Sequence, residues 1–246
     1  MGAEVSRGHN RGMTDRAQGA RLAEVAAVLS DPTRAVFCVA LLDGRAWTAG
    51  ELARLAGVSA PTATGHLHRL VGSGLCTERR QGRHRYVQLA DPETAALVES
   101  LAGHFPAAAP TGLRASTASA ALARGRTCYD HLAGRLGVAV TDAMAGRGLI
   151  DRDSGFALSD KGHRWMADLG ADTAAWPRSR RPAAKECLDW TERRGHLAGL
   201  AGAAVCARFL ESGWVRRIGS TRAVRLTDAG AAALEGLLGL DAAALR

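Results

Sequence analysis

The chain has 246 residues, enough for two modest domains, and 32 Lys and Arg against 24 Asp and Glu give a formal net charge of +8. A pI near 10.0 fits a polyanionic partner, and five cysteines, an odd number, argue against a disulfide framework. No apolar run approaches the ~20 residues needed to cross a bilayer and no leader pattern is visible, so membrane proteins are excluded and a soluble, cytoplasmic protein is expected.

Residues 1–13 are polar and patternless and are expected to be disordered. An amphipathic helix is predicted from about Asp15 to Leu29, with Leu22, Val25, Ala26 and Leu29 on one face. Asp31-Pro32 stops it and opens a second helix running through Phe37, Ala40, Leu41 and Leu42 to Gly44. Thr48 followed by Glu51 is a capping box, which starts a helix near Ala49 that ends about Ala56. Gly57-Val58 makes the turn, Ser59 caps the next helix, and Pro61 sits harmlessly in its first turn. On that helix Ala63, Leu67 and Leu70 share the inner face. Pro61, Thr62, Thr64, Gly65, His68 and Arg69 are left outside, small, hydroxyl-bearing and positive, as a helix in a major groove requires. A solvated face is the alternative reading. The next segment tips the balance: strand-like residues 75–77 and 86–89 flank Arg79, Arg80, Arg83 and Arg85 around Gly82. Like charges destabilise a hairpin but hold phosphates well. Asp91 then caps a helix to about His104 that carries Ala96, Leu97 and Leu101.

These pieces resemble the ArsR family of bacterial repressors over residues about 20–104. The resemblance rests on Asp31-Pro32-Thr33-Arg34, Glu51-Leu52-Ala53, Ser59 with His66-Leu67, Leu70 and Gly74-Leu75, and the wing ending in Arg85-Tyr86. It implies a dimeric winged helix, with the first and last helices of the segment at the dimer interface, that binds operator DNA and is often released by a metal or another effector. The family's familiar metal ligands have no counterpart here: Thr48–Ala56 contains no cysteine, and Asp91–His104 lacks the Asp/His and Glu/His sets. Cys38 and Cys76, among apolar neighbours, are expected to be packing residues.

Residues 105–119 have linker composition. Beyond them an internal repeat appears. His131-Leu132-Ala133-Gly134 recurs as His196-Leu197-Ala198-Gly199, Gly148 as Gly213, and Leu158-Ser159-Asp160-Lys161-Gly162 as Leu226-Thr227-Asp228-Ala229-Gly230. Each copy reads as a long helix, a hairpin (149–158 and 214–226) and a short helix capped by Ser159 or Thr227. The fold class expected is therefore mainly α with short β-hairpins: a winged helix–turn–helix over 14–104, then a domain of two winged-helix-like helix–hairpin–helix repeats over 120–246. Between the copies, the cluster Arg178, Arg180 and Arg181 reads as a solvated loop.

Cys128-Tyr129-Asp130 and Cys187-Leu188-Asp189 each precede a copy. On a helix, Cys128 and His131 lie three apart and could grip one metal ion. Cys187 and His196 on a continuous helix would be separated by about 13.5 Å, too far for one ion unless the helix breaks at Gly195. The same helix would align Asp189, Glu192, Arg193 and His196 beside Trp190, a stripe able to bind a polar effector by ion pairs and stacking. A salt-bridged face with core cysteines is the plain alternative, and metal or thiol sensing another. Four of the five tryptophans, Trp165, Trp176, Trp190 and Trp214, fall in this part. No glycine-rich phosphate loop, G-x-S-x-G or H-E-x-x-H is present, which weighs against an enzyme. The reading is a homodimeric DNA-binding regulator, a repressor released by an effector, on a palindromic operator. Ser59, Thr62, Thr64, Gly65, His68, Arg69 and the wing arginines would contact DNA, and a small-molecule effector would bind the C-terminal part. Cofactor and metal are left unknown. A protein–protein adaptor with a degenerate DNA-binding domain is the other class kept open.

Overall fold

The computed structural model describes residues 4–82, 84–104, 112–153, 155–219 and 221–245. They divide into two compact units, one of Met1–Val39 with Ala46–Ala90, the other of Ala40–Arg45 with Asp91–Arg246.

The first unit opens with α1 (Glu4–Leu29), which starts well before the predicted Asp15. The expectation of disorder over 1–13 is thus corrected for residues 4–13, whose polar, glycine-containing sequence carries no periodicity to mark a helix. Residues 1–3 lie outside the described residues. α2 (Pro32–Leu41) follows, its first turn capped by the Asp31 carboxylate, which accepts the Arg34 N–H at 3.0 Å. β1 (Trp47–Thr48) leads into α3 (Ala49–Ala56) and α4 (Ala60–Gly72). The Thr48–Glu51 capping box is formed in both directions, and Gly57 takes the left-handed conformation at φ 67° that ends α3. Ser59 Oγ accepts from the Thr62 N–H to start α4. β2 (Cys76–Gln81) and β3 (His84–Leu89) complete a three-stranded antiparallel sheet of order β1-β3-β2. Its core holds Phe37, Leu52, Ala63, Leu67, Leu70, Val87 and Leu89, with Cys38 and Cys76 buried among them.

The second unit contains α5 (Pro92–His104), capped by Asp91, whose carboxylate accepts the Thr94 N–H at 2.7 Å. Its buried face is Ala95, Val98, Glu99 and Gly103, while Leu97 and Leu101 are 44% and 46% exposed. The apolar residues named for this helix thus stay on its uncovered side, and its inward face includes a glutamate that the sequence did not single out. α6 (Leu113–Arg124) occupies part of the predicted linker; past Gly112 this stretch has no proline and many alanines, and helix costs little there. Residues 105–111 of that predicted linker lie outside the described residues.

Two similar halves follow. In one, β4 (Arg126–Cys128) and β5 (His131–Ala133) form a tight hairpin, then come α7 (Gly134–Gly146), β6 (Ile150–Asp151), β7 (Ala157–Leu158) and α8 (Asp160–Asp168). After a short 3-10 helix over Thr173–Arg178, β8 (Lys185–Leu188) and β9 (Gly195–Ala198) pair. The second half continues with α9 (Gly199–Glu211), β10 (Val215–Arg217), β11 (Val224–Leu226) and α10 (Asp228–Leu238). Ser159 and Thr227 cap α8 and α10 as predicted, their hydroxyls accepting from Gly162 and Gly230. One apolar core, including Leu136, Met144, Met166, Leu197, Val205, Phe209, Leu226 and Leu234, joins both halves. Among the described residues, no helix is long and apolar enough to cross a membrane.

Candidate functional site

In the first unit, α4 buries Ala63, Leu67 and Leu70 and turns Pro61, Thr62, Gly65, His68 and Arg69 outward, with Thr64 half-buried. Of the candidate contacts, Ser59 and Thr62 are linked through their hydroxyls at 2.8 Å, and Thr64 Oγ1 donates to the Ala60 carbonyl at 2.9 Å. The sequence pattern thus identified the exposed face correctly, but two of its hydroxyls are engaged with the helix itself. The wing strands reach further than predicted, through Gln81 and His84, with Gly82 at φ 58° in the turn. Arg80 and Arg85 are direct cross-strand partners, and Arg79 and Arg80 are exposed. Arg83 lies outside the described residues. Glu78, which the sequence reading passed over, binds Arg85 and stands 3.8 Å from Arg80; Arg85 also reaches His68 at 3.5 Å. The Arg85 hydrogen bond holds the Glu78 carboxyl below the usual carboxylate range.

The second unit overturns the helical placement of the C-terminal cysteines and histidines. Cys128 and His131 end and begin paired strands and face one another across the two-residue turn of β4–β5; Cys187 and His196 face one another across β8–β9. The helix break considered at Gly195 is the start of β9, and a side chain there would collide with Glu186. The two hairpins lie side by side, and the ligand atoms of Cys128, His131, Cys187 and His196 are all within 4.8 Å of one another. The two sulfurs are 4.0 Å apart and the imidazoles stack with centroids 5.1 Å apart. His131 is 6% exposed and His196 fully buried, yet Nε2 of His131 and both nitrogens of His196 lack a hydrogen-bond partner.

Each histidine has a carboxylate on its Nδ1 side. Asp130 Oδ1 lies 3.3 Å from His131 Nδ1, and the two Asp130 oxygens each accept from one terminal nitrogen of Arg181, so that arginine is not part of a merely solvated loop. Burial raises the Asp130 carboxyl, but the bonds from His131 and Arg181 prevail and bring it down to about 2. Asp189 Oδ2 lies 3.8 Å from His196 Nδ1 and accepts from the Gly134 N–H at 2.6 Å and from Arg126 at 3.0 Å. Its other oxygen takes Thr191 and the Glu192 N–H. Asp189 is therefore saturated by the chain itself. Arg126 carries its guanidinium 4.8 Å over the Trp190 ring and also meets Glu99, which Arg222 binds at 2.9 Å. The predicted effector stripe does not form: Asp189 and His196 belong to the buried cluster, Glu192 is in a loop and half-buried, and Arg193 is exposed. Asp130, Glu99, Arg126, Arg181 and Arg222 were missed. The Cys-x-Asp repeated before each half was the available signal for Asp130; the others come from distant parts of the chain.

Comparison with known proteins follows the same division. A helix–turn–helix domain family matches residues 29–79. A Bacillus subtilis (strain 168) protein described as an uncharacterized HTH-type transcriptional regulator, YdfF, is 39% identical over 215 residues, 87% of this chain and 95% of that one. Solved structures match the N-terminal part. The transcriptional repressor BigR of Xylella fastidiosa is 29% identical, over 39% of this chain and 92% of its own, with a TM-score of 0.34. The homodimeric winged helix–turn–helix domain of Mycobacterium bovis Mb0332, a possible ArsR-family regulator, is 25% identical, over 35% and 80%, with a TM-score of 0.33. The relationship to YdfF spans most of both chains, and by it this chain belongs to the helix–turn–helix family of DNA-binding transcriptional regulators.

Proposed function

We propose that the protein is a homodimeric repressor that reads a palindromic operator with α4, grips the flanking backbone with its arginine wing, and takes its signal in the second unit. The observation that carries this reading is the pairing, in one unit, of a small hydroxyl-bearing helix face with a hairpin bearing Arg79, Arg80 and Arg85. Thr62 and His68 are the candidates for base edges, and Thr64 and Gly65 let the helix approach closely. Arg69 and the wing arginines are the candidates for phosphates or minor groove. Homodimerisation is supported by apolar residues left uncovered on single chains: Leu22 on α1 is 71% exposed, and Leu97 and Leu101 on α5 are nearly half exposed. A two-fold dimer demands a two-fold site, with half-sites about one helical turn apart. Selection of duplexes from a random pool by the full chain tests this. The expected product is an inverted repeat of that spacing bound by two chains; enrichment of no common sequence would refute it.

A further inference from the structure

The cysteine–histidine cluster of the second unit has a composition, a geometry and a set of unmet bonds that a core does not explain. Two thiols and two imidazoles converge from four strands, one Cys and one His from each hairpin, and the two imidazoles are buried with three ring nitrogens unpartnered. A buried polar group without a partner forfeits the hydrogen bonds that water gave it in the unfolded chain. Three in one place are a standing penalty, and an ion bound to one nitrogen of each ring would relieve two of them. We propose that Cys128, His131, Cys187 and His196 bind one Zn(II) ion as a closed tetrahedral site that ties the two halves of the second unit together. The assignment deepens the reading of that unit as the part that receives a signal, and it stands whether or not the metal is the signal.

The distances fit. Zinc bonds of about 2.0–2.3 Å place tetrahedral ligand atoms roughly 3.3–3.8 Å apart. The sulfurs stand 4.0 Å apart and no ligand pair exceeds 4.8 Å, so side-chain adjustments of about an ångström close the site without moving the hairpins. Charge fits as well, since two thiolates neutralise a divalent ion and leave a neutral buried unit. The thiol protons go to solvent on binding. One second-sphere carboxylate is in place, Asp130 on Nδ1 of His131, which leaves that ring's Nε2 for the metal, while Asp189 stands 3.8 Å from Nδ1 of His196. A borderline set of two thiolates and two imidazoles selects zinc over the oxygen-loving Mg(II) and Ca(II). With four protein ligands, no position remains for a hydrolytic water, which makes the site structural or regulatory. Glycine makes room for it, because a Cβ at Gly202 of α9 would come within 3.1 Å of the His131 Cβ.

The test is metal uptake by the full chain, reduced, stripped with a chelator and titrated with Co(II) and then Zn(II). One equivalent of cobalt should bind, giving the intense ligand-field absorption of a tetrahedral site and thiolate-to-cobalt charge transfer, and zinc should displace it. Cys187→Ala and His196→Gln should abolish both signals, whereas Cys38→Ala and His163→Gln should retain them. Should the site variants fail to fold, alkylation decides on the unaltered chain: zinc should protect Cys187, the half-buried thiol, and the chelated protein should lose that protection. A folded, reduced chain that takes up no stoichiometric cobalt or zinc overturns the assignment. So does one that binds only Cu(I), or one whose uptake survives loss of Cys187 and His196. All these readouts are made without DNA, so failure of operator binding and failure of the metal site are separable.

Discussion

Glu78 sits on the wing among the arginines it partly neutralises, binding Arg85 and approaching Arg80. On the proposed reading, a phosphate must compete with that carboxylate for Arg85, so the free protein would hold back one of its proposed DNA contacts. Glu78→Gln should therefore strengthen binding to every duplex several-fold and steepen the dependence of log affinity on log salt by up to about one. Unchanged affinity and slope in a salt titration would mean Arg85 stays off the backbone. At this scale the sequence was legible where the chemistry is local. Thr48, Glu51, Ser59, Ser159 and Thr227 act within three residues of themselves, and each caps the helix predicted for it. Glu78 was missed because its partner lies on the opposite strand and a lone carboxylate in a basic run has no local signature.

Helices α7 and α9 begin alike, each launched by a positive-φ glycine, Gly134 at 73° and Gly199 at 81°, and each carrying a second glycine three residues on. A Cβ at Gly137 would fall 2.3 Å from the Leu132 carbonyl oxygen, and one at Gly202 2.5 Å from that of Leu197. These glycines let each helix fold back onto the hairpin that precedes it. Gly137→Ala and Gly202→Ala should each cost roughly 1–3 kcal/mol in urea unfolding. Gly146→Ala in α7, with open space around it, should be neutral or gain up to about 1 kcal/mol. Equal effects at all three positions would contradict the packing account. Those hairpins were also the element most misread from sequence. Strands of three or four residues such as Arg126–Cys128 and His131–Ala133 are too short to show alternation and poor in β-branched residues, so Cys128 and His131 fit a helical turn as well. The recurring His-Leu-Ala-Gly followed by a helix was the sign that the helix starts only after the glycine.

Across the molecule, residues far apart in sequence meet in one buried charge cluster of the second unit: Glu99 from α5, Arg126 from β4, Asp189 after β8 and Arg222 before β11. Burial raises the Glu99 carboxyl, but Arg222 and Arg126 outweigh it and hold the net below the ordinary carboxylate value. A carboxylate depressed in the folded state stabilises above its unfolded pKa, about 4.3, and that contribution is lost as pH falls through the folded value. Glu99→Gln should destabilise by roughly 3–5 kcal/mol at neutral pH, because it strands the arginines. The gap to the unaltered chain should narrow below about pH 4. A gap constant with pH would show that Glu99 is not the charged partner. Such a cluster cannot be read from a sequence, since nothing local distinguishes a glutamate that faces inward from one that faces water.

The central claim is that α4 reads bases while the wing holds backbone. Its most direct test is the binding of Thr62→Ala and Arg79→Ala to a selected duplex and to random duplex, each across a range of salt. Thr62→Ala should lose affinity for the selected duplex alone, with its salt slope unchanged; Arg79→Ala should weaken both duplexes alike and lower the slope by about one. Loss on both duplexes with Thr62→Ala, together with an unchanged slope for Arg79→Ala, would contradict it.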